Sequence, residues 1–500
     1  MQKNLVIRAD AGREIGTGHV MRSLALAQAW QKHGGEIVFV LSCDLPPLSE
    51  RLEREGMKTL RLRSTAGTPG DAEETARIAR ERGADWVVVD GYQFGAEYQK
   101  TIRDAGRSLL FIDDYGHAGH YYADIVLNQN LYADMSLYRH YEPYTRFLLG
   151  ADYVLLRSEF LDRAPRGRTV PEAARKILVT LGGSDPDNLT LAVINALKTP
   201  DLSTTEAKVV VGGANPHYGL LREAVEDLPR VTLISDAGTM PELMAWADAA
   251  ISAGGSTCWE LLFMGVPSLV IPIAKNQEPV VKKLASLKIA RAVSTTVVTD
   301  PGALAKIIAR FLRSRKVRSG FSRRMARYID GKGASRVVGA MRGPRITLRK
   351  AALSDCRQVW SWINDPLVRS VSFSPEPIPL GRHRAWFSSA LSDPGLVYYI
   401  ALDNHARPVG QARFQSGSGD VVISVLVAPE YRGRSLGPAL IRDATEQFFR
   451  ETGAAMVKAF IKTGNEVSRK AFTSAGYTGQ GLCEYKGEKA HLFIKMRETR

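Results

Sequence analysis

Short apolar runs, each bounded by glycine or an acid, punctuate the first third of the chain at residues 5–9, 37–41, 86–90 and 109–113. They are too short for helices and do not alternate with polar residues. That is the pattern of strands buried on both faces of a parallel sheet. Helical patterns lie between them. After a glycine-bearing turn at 11–18, the stretch 19–33 sets Val20, Leu24, Ala27 and Trp30 along one side of a helix. The pattern restarts near residue 175, with strand-like runs at 176–181, 207–211, 231–234, 249–252 and 268–273 and a helix from about Asn188. Two α/β units in succession predict two Rossmann-like lobes with a cleft between them.

Residues 311–343 read as basic helix, broken by Gly343 and Pro344. The strand-like segments beyond, at 346–349, 397–403, 410–416 and 421–428, are longer and less uniformly apolar. They predict a mixed α+β domain, largely antiparallel. The expected fold class is therefore α/β, two Rossmann-like lobes followed by a mixed α+β domain. The expected boundaries are 1–165, 166–340 and 341–500, in line with about three domains for 500 residues.

Composition narrows the classes. A 45% hydrophobic and 24% charged chain is neither disordered nor of low complexity. No apolar run reaches the roughly 18–20 residues of a membrane span, and the N-terminal stretch lacks a signal-peptide core. A soluble, cytoplasmic protein with no membrane partner is expected. Cys43, Cys258, Cys356 and Cys483 are far apart and form no C-x-x-C pair, and no H-E-x-x-H occurs, so neither a disulfide framework nor a metal site is expected. Residues 310–350 hold fourteen Lys/Arg against one acid, Asp330, and so carry +13 of the chain's +15. Such a block binds nucleic acid or forms a solvated helix face and linker. Aromatics are sparse there and no nucleic-acid motif accompanies it, so no nucleic-acid partner is expected.

The stretch from Ile7 to Arg22, IRADAGREIGTGHVMR, ends a strand, turns on glycines and starts a helix at His19. Glycines let backbone approach a ligand closely, and a helix start offers free N–H groups to an anion. The spacing is not the dinucleotide fingerprint, and no acid follows at the required distance, which disfavours NAD. An imidazole at the carboxyl edge of the sheet can act as general base near neutral pH; the same position also suits a cap or a packed side chain. In the second lobe, Gly182, Gly183 and Ser184 follow one strand, and Gly254, Gly255, Ser256 and Thr257 follow another. Two small-residue turns at neighbouring strand ends can cradle a diphosphate, and Glu260, one turn further on, can accept from ribose hydroxyls.

These residues carry a resemblance. The IRADAGREIGTGHVMR stretch, Asp90-Gly91-Tyr92, Asp113-Asp114, Asn128-Gln129-Asn130, Arg157, the two glycine turns and Lys275-Asn276-Gln277 resemble the nucleotide-sugar hydrolases of the pseudaminic acid pathway. Those are similar in turn to GT-B glycosyltransferases that use UDP-sugars. The resemblance spans about residues 1–340. It implies His19 as the group that orients or deprotonates the attacking water, UDP in the second lobe, and Asp10, Arg22, Tyr92, Asn276 and Gln277 around the sugar. The implied reaction is hydrolysis of UDP-2,4-diacetamido-2,4,6-trideoxy-beta-L-altropyranose to UDP and free sugar. No acidic D-x-D cluster is evident in a loop suited to a metal, so none is demanded.

In the third unit, Leu426 and Val427 end a strand, and Arg432, Gly433, Arg434, Ser435 and Gly437 lead into a helix. Arginine and glycine at a helix start form a pyrophosphate cradle. The loop resembles the acetyl-CoA loop of the GNAT acetyltransferases, with Ser435 replacing the middle glycine. Asn465, Ser468, Phe472 and Tyr477 resemble the following helix of that family, in which Asn465 would bind the pantetheine arm. Phe472 stands where many members carry a tyrosine that protonates the leaving thiolate, so Tyr477, Tyr485 or water would have to take that part. His383, in an aromatic stretch, reads either as a substrate contact or as a packed core residue. The two resemblances together imply a bifunctional enzyme whose partners are UDP-linked amino sugars and acetyl-CoA. Its acetyltransferase would act on the UDP-4-amino sugar one step before hydrolysis. The alternative is a UDP-sugar glycosyltransferase fused to a protein N-acetyltransferase.

Overall fold

The computed structural model describes residues 4–12, 16–43, 45–142, 145–163, 167–183, 185–212, 215–235, 239–343, 346–403, 406–417, 420–433 and 436–497. The chain forms two compact units, Met1–Met341 and Arg342–Arg500.

The first unit has two lobes. The first lobe is built on β1 (Asn4–Ala9), β2 (Ile37–Leu41), β3 (Lys58–Arg61), β4 (Ala84–Asp90), β5 (Ser108–Ile112), β6 (Ile125–Asn128) and β7 (Arg146–Leu149), in the order β3-β2-β1-β4-β5-β6-β7. All pairs are parallel. Because side chains alternate across a strand, Leu5 and Ile7 join one core with Trp30, Val88 and Leu110, while Val6 joins another with Val87, Val89 and Phe111. This two-sided burial is why the strands read as continuous apolar runs. The second lobe repeats the plan with β8 (Lys176–Thr180), β9 (Glu206–Val211), β10 (Val231–Ser235), β11 (Ala249–Ala253), β12 (Ser268–Ile271) and β13 (Arg291–Ala292), in the order β10-β9-β8-β11-β12-β13. In each lobe the strand order reverses beside the first strand, between β1 and β4 and between β8 and β11. Such a reversal opens a crevice at the carboxyl ends of the strands.

One sequence boundary needs correction. Residues 333–341, read with the second lobe, return to the first: Ala334, Val337, Val338 and Met341 of helix Gly333–Arg342 pack in the core that holds Leu24 and Trp30. The basic stretch is therefore three packed helices, Pro301–Arg313, Arg315–Met325 and Gly333–Arg342, rather than a linker.

The second unit has a single sheet of β14 (Thr347–Lys350), β15 (Leu396–Leu402), β16 (Pro408–Gly417), β17 (Asp420–Val427), β18 (Met456–Lys462), β19 (Thr478–Tyr485) and β20 (Glu488–Met496), in the order β14-β15-β16-β17-β18-β20-β19. All neighbours are antiparallel except β17 and β18, which are parallel and pair only at Val422 with Lys458.

Gly333 abuts the first lobe's backbone: a Cβ there would lie 2.1 Å from the Val154 carbonyl oxygen and 2.6 Å from its nitrogen. At Gly339 of the same helix a Cβ would meet nothing within 4 Å. Gly333→Ala is expected to destabilise the first unit by about 2–3 kcal/mol through overpacking. Gly339→Ala is expected to stabilise it by about 0.5–1 kcal/mol through helix propensity. Denaturant unfolding of the two variants checks both signs.

Candidate functional site

The end of β1 and the end of β4 bring two distant segments together. His19 lies in the first turn of helix Gly18–Gln31 and is 7% exposed. Its Nδ1 is 2.7 Å from Oδ1 of Asp90, the last residue of β4, which is wholly buried. Arg22, one turn further along, donates from Nε to Asp90 Oδ2 at 2.7 Å and from Nη2 to Oδ1 at 2.6 Å. Ser23 donates to Oδ2 at 3.2 Å. Arg22 Nη2 also lies 3.2 Å from His19 Nδ1. A guanidinium cannot accept a proton, and the carboxylate is nearer, so Nδ1–H donates to Asp90. The lone pair is then on Nε2, the arrangement a general base needs.

The network continues. Arg22 Nη1 donates to Asp114 Oδ1 at 2.8 Å, and Tyr92 donates to Asp114 Oδ2 at 2.8 Å. Asn130 donates to the Asp114 carboxylate, while Asn128 and Tyr132 donate to its backbone carbonyl. Burial by itself would raise the Asp90 carboxyl, but Arg22 and His19 more than offset it and hold it below the usual carboxylate range. The Asp114 carboxyl is lowered in the same way, burial opposing and Arg22 prevailing. The Tyr92 hydroxyl is pushed up by burial and by the Asp114 charge.

His19 sits at the seam of the lobes, not in remote packing. Its ring meets Tyr92 edge-on at 4.8 Å, and the Tyr92 hydroxyl accepts from Asn276 Nδ2 of the second lobe at 3.1 Å. A Cβ on Gly18 would lie 3.6 Å from Ser256 Oγ, and one on Gly183 would lie 3.7 Å from Gly16 Cα. The first lobe's glycine turn therefore faces both turns of the second. Those turns follow β8 and β11, which are paired neighbours. Gly182 has φ +87°, a backbone conformation that favours glycine. Ser184 lies outside the described residues. Gly255 and Thr257 complete the second turn and the start of helix Thr257–Phe263.

Several expected ligand contacts are already engaged within the protein. Asp10 accepts from the Ser42 backbone N–H at 2.7 Å and pairs with the buried Arg8 at 2.7 Å. It clamps the end of β1 rather than presenting free oxygens to a sugar. Arg22 likewise has its nitrogens on Asp90 and Asp114 and acts through them. Gln277 Oε1 accepts from the backbone N–H groups of Gly254 and Ile273, at 3.0 and 3.1 Å, so its carbonyl holds the turn. Glu260 Oε1 accepts from Arg157 Nη2 at 2.9 Å, and burial raises its pKa against the pull of Arg157. Asp90 and Asp114 were not singled out as site residues. The available signal was an acid closing a buried apolar strand next to the reversal point. Asp113 serves the structure instead, accepting from the backbone N–H of Tyr115 and Gly116 and from Tyr121.

In the second unit, β17 runs on to Val427 and β18 to Lys462 without pairing beyond Val422 and Lys458, so the sheet splays. The facing backbone groups of Leu426 and Val427 have no strand partner on that side. Arg432 and Gly433 follow β17. Arg432 pairs with Asp365 at 2.8 Å, and Asp365 also caps helix Pro366–Ser370. Arg434 and Ser435 lie outside the described residues. A Cβ on Gly437 would lie 3.7 Å from Ala471 Cβ, so helix Leu436–Thr452 approaches helix Glu466–Ser474 closely there. Asn465 Oδ1 caps the latter helix at Ser468 N, 3.0 Å, so only its amide NH2 is open to a ligand. His383 is a packed residue: 1% exposed, between Trp386 and Phe387, its pKa lowered by burial. Phe472 is buried edge-on against Tyr477, whose hydroxyl bonds Thr445 at 2.7 Å and is pushed up by burial. Tyr485 stacks on Phe460 at 4.0 Å.

Among the described residues no group of three or more His, Cys, Asp or Glu is arranged to hold a metal. No helix among them is long and apolar enough to cross a membrane.

Replacing Arg22 with Met leaves two buried carboxylates short of a counterion, a loss of about 3 kcal/mol. The depressed Asp90 and Asp114 carboxyls contribute stability above the ordinary carboxylate pKa of about 4, and that contribution is lost as pH falls below it. The deficit of Arg22→Met against wild type is therefore expected to be full at pH 7 and to shrink below about pH 4, read by denaturant unfolding across pH.

Comparison with known proteins agrees with this division. Residues 177–324 match the glycosyltransferase family 28 C-terminal domain, and residues 345–478 match the GNAT acetyltransferase domain. An uncharacterised protein of Methanocaldococcus jannaschii is 23% identical over 95% of this chain and 96% of its own length. The spore coat polysaccharide biosynthesis protein SpsG of Bacillus subtilis is 28% identical over 67% of this chain and 96% of its own. The UDP-2,4-diacetamido-2,4,6-trideoxy-beta-L-altropyranose hydrolase of Campylobacter jejuni is 26% identical over 55% of this chain and 93% of its own. The chain is thus an enzyme that joins a two-lobed unit, whose second lobe matches the glycosyltransferase family 28 C-terminal domain, to a unit that matches the GNAT acetyltransferase domain.

Proposed function

We propose that the first unit hydrolyses a UDP-linked amino sugar of the class named for the Campylobacter relative, UDP-2,4-diacetamido-2,4,6-trideoxy-beta-L-altropyranose, and that the second unit acetylates the UDP-4-amino sugar that precedes it. The observation that carries the reading is the His19–Asp90 pair at the seam between the lobes, 2.7 Å apart. His19 Nε2 takes a proton from water as the oxygen attacks the anomeric carbon. Asp90 stabilises the imidazolium that forms. The bond from that carbon to the UDP oxygen breaks on the opposite face, giving inverted free sugar and UDP. Negative charge builds on the diphosphate and is met by backbone N–H groups of the turns around Gly182–Gly183 and Gly254–Thr257. Tyr92 and Asn276 border the sugar. Asp10, Arg22 and Gln277 hold the frame. Glu260 keeps one oxygen for the ribose.

In the second unit the splayed edge of β17 offers backbone groups to the pantetheine arm of acetyl-CoA, with Arg432, Gly433 and Gly437 near its pyrophosphate. A neutral amine attacks the thioester, forming the amide C–N bond as the C–S bond breaks and coenzyme A leaves. Because the Tyr477 hydroxyl is buried on Thr445, water is the better donor to the thiolate.

Incubation with the UDP-4-amino sugar, with and without acetyl-CoA, followed by mass analysis, tests both steps. The expected products are the acetylated UDP-sugar and then UDP with free diacetamido sugar, formed only when acetyl-CoA is present. UDP release that requires an added acceptor would instead make the first unit a transferase. His19→Ala is expected to lower hydrolytic kcat by about 10²–10⁴-fold, with acetylation intact. Arg432→Ala is expected to raise the KM for acetyl-CoA about tenfold through loss of a charge-assisted phosphate contact, with hydrolysis unchanged.

A further inference from the structure

The proposed chemistry leaves unused the most basic part of the first unit. One side of helix Arg315–Met325 lines a cavity of about 590 Å³, within the size range of small-molecule sites. Its lining combines cations and hydroxyls: Arg315, Lys316, Ser319, Ser322 and Arg323 of the helix, with Arg168 from the segment before β8. Glu172 is the acid at this cavity, and its 3.3 Å pair with Arg315 is exposed, 85% at the Glu172 side chain, and so weak. Among the described residues, Lys316 and Arg323 have no acidic partner.

Beneath the helix, Arg318 is wholly buried, one turn from both Arg315 and Ser322. Its Nη2 donates to the carbonyls of Pro171 and Glu172, at 3.0 and 2.8 Å. Its Nε and Nη1 have no partner among the described residues. Its hydrogen bonds go to carbonyls, and the Asp248 and Glu172 carboxylates act on it only through space, so the guanidinium adds positive potential beside the lining residues of its helix.

The cavity is remote from the cleft. Arg168 donates to the carbonyls of Met244 and Met264, at the C-terminal ends of helices Met240–Trp246 and Thr257–Phe263. The latter helix starts at the carboxyl edge of the sheet, just after β11, so its C-terminus, and Arg168 with it, lies towards the amino edge.

We propose that this cavity is a second anion site, for a phosphate-bearing ligand of pyrophosphate size or larger, separate from the diphosphate turns of the cleft. Guanidinium, ammonium and hydroxyl donors around one cavity are the donor set that phosphate oxygens require. The test is calorimetric titration of the full chain with inorganic pyrophosphate, in wild type and in Lys316→Glu/Arg323→Glu, whose substitutions lie outside the diphosphate turns of the cleft and outside the acetyl-CoA loop. A pyrophosphate-binding event that weakens at least tenfold in the variant, and on raising the salt, is the expected result. Both side chains are exposed, so an unchanged melting temperature shows that the variant is folded. No pyrophosphate binding by wild type, or equal binding by the variant, would overturn the proposal. Competition by phosphatidylglycerol vesicles, but not phosphatidylcholine vesicles, would identify the phosphate as a lipid headgroup; no competition would identify a soluble anion.

Discussion

Asp90 closes β4 inside the first lobe with no exposed surface, and a carboxylate there is tolerated only because donors surround it. Arg22, His19 and Ser23 all reach it from one helix, so the same contacts that neutralise a buried charge also fix that helix to the sheet. The imidazole tautomer follows from this. With Nδ1–H committed to Asp90, the ring's lone pair is on Nε2. Stability and proposed chemistry therefore rest on one polar cluster, and Arg22 serves both by bridging Asp90 to Asp114.

From Asp114 the cluster passes through Tyr92 to Asn276 and so crosses between the lobes. A second crossing joins Arg157 to Glu260, and Arg157 also meets Glu159 at 3.1 Å. Small residues also meet at the seam, Gly16 and Gly18 on one side and Gly183 and Ser256 on the other. Larger side chains at these positions would narrow the gap between the lobes, where the proposed function puts the sugar diphosphate. The glycines thus shape the cleft by what they leave out, while the ion pairs set how the lobes meet.

In the second unit the proposed binding edge is backbone. Its sheet splays after a single parallel pair, which exposes the inner edge of β17 without exposing an outer sheet edge. The side chains read as candidates there are largely structural: Asn465 caps, His383 packs and Tyr477 bonds Thr445. This matches a reaction that needs an oriented amine and a polarised thioester more than a dedicated side-chain acid.

The buried strands at 5–9 and 86–90 were legible because two-sided burial demands uninterrupted apolar residues. The turns at Gly16–Gly18, Gly182–Gly183 and Gly254–Gly255 were legible because close approach demands glycine. Short, half-polar edge strands such as β3 and β7 carry no such pattern and were missed. The pairing of His19 with Asp90, 71 residues apart, was not legible, nor was the engagement of Asp10 by Arg8 or of Gln277 by the Gly254 turn. The sequence by itself determined which residues are apolar, small or charged, and hence the lobes and their turns. Which carboxylate or amide still has a free oxygen was decided only by the tertiary structure, because a hydrogen-bonding group has few partners to give and distant segments had already claimed them.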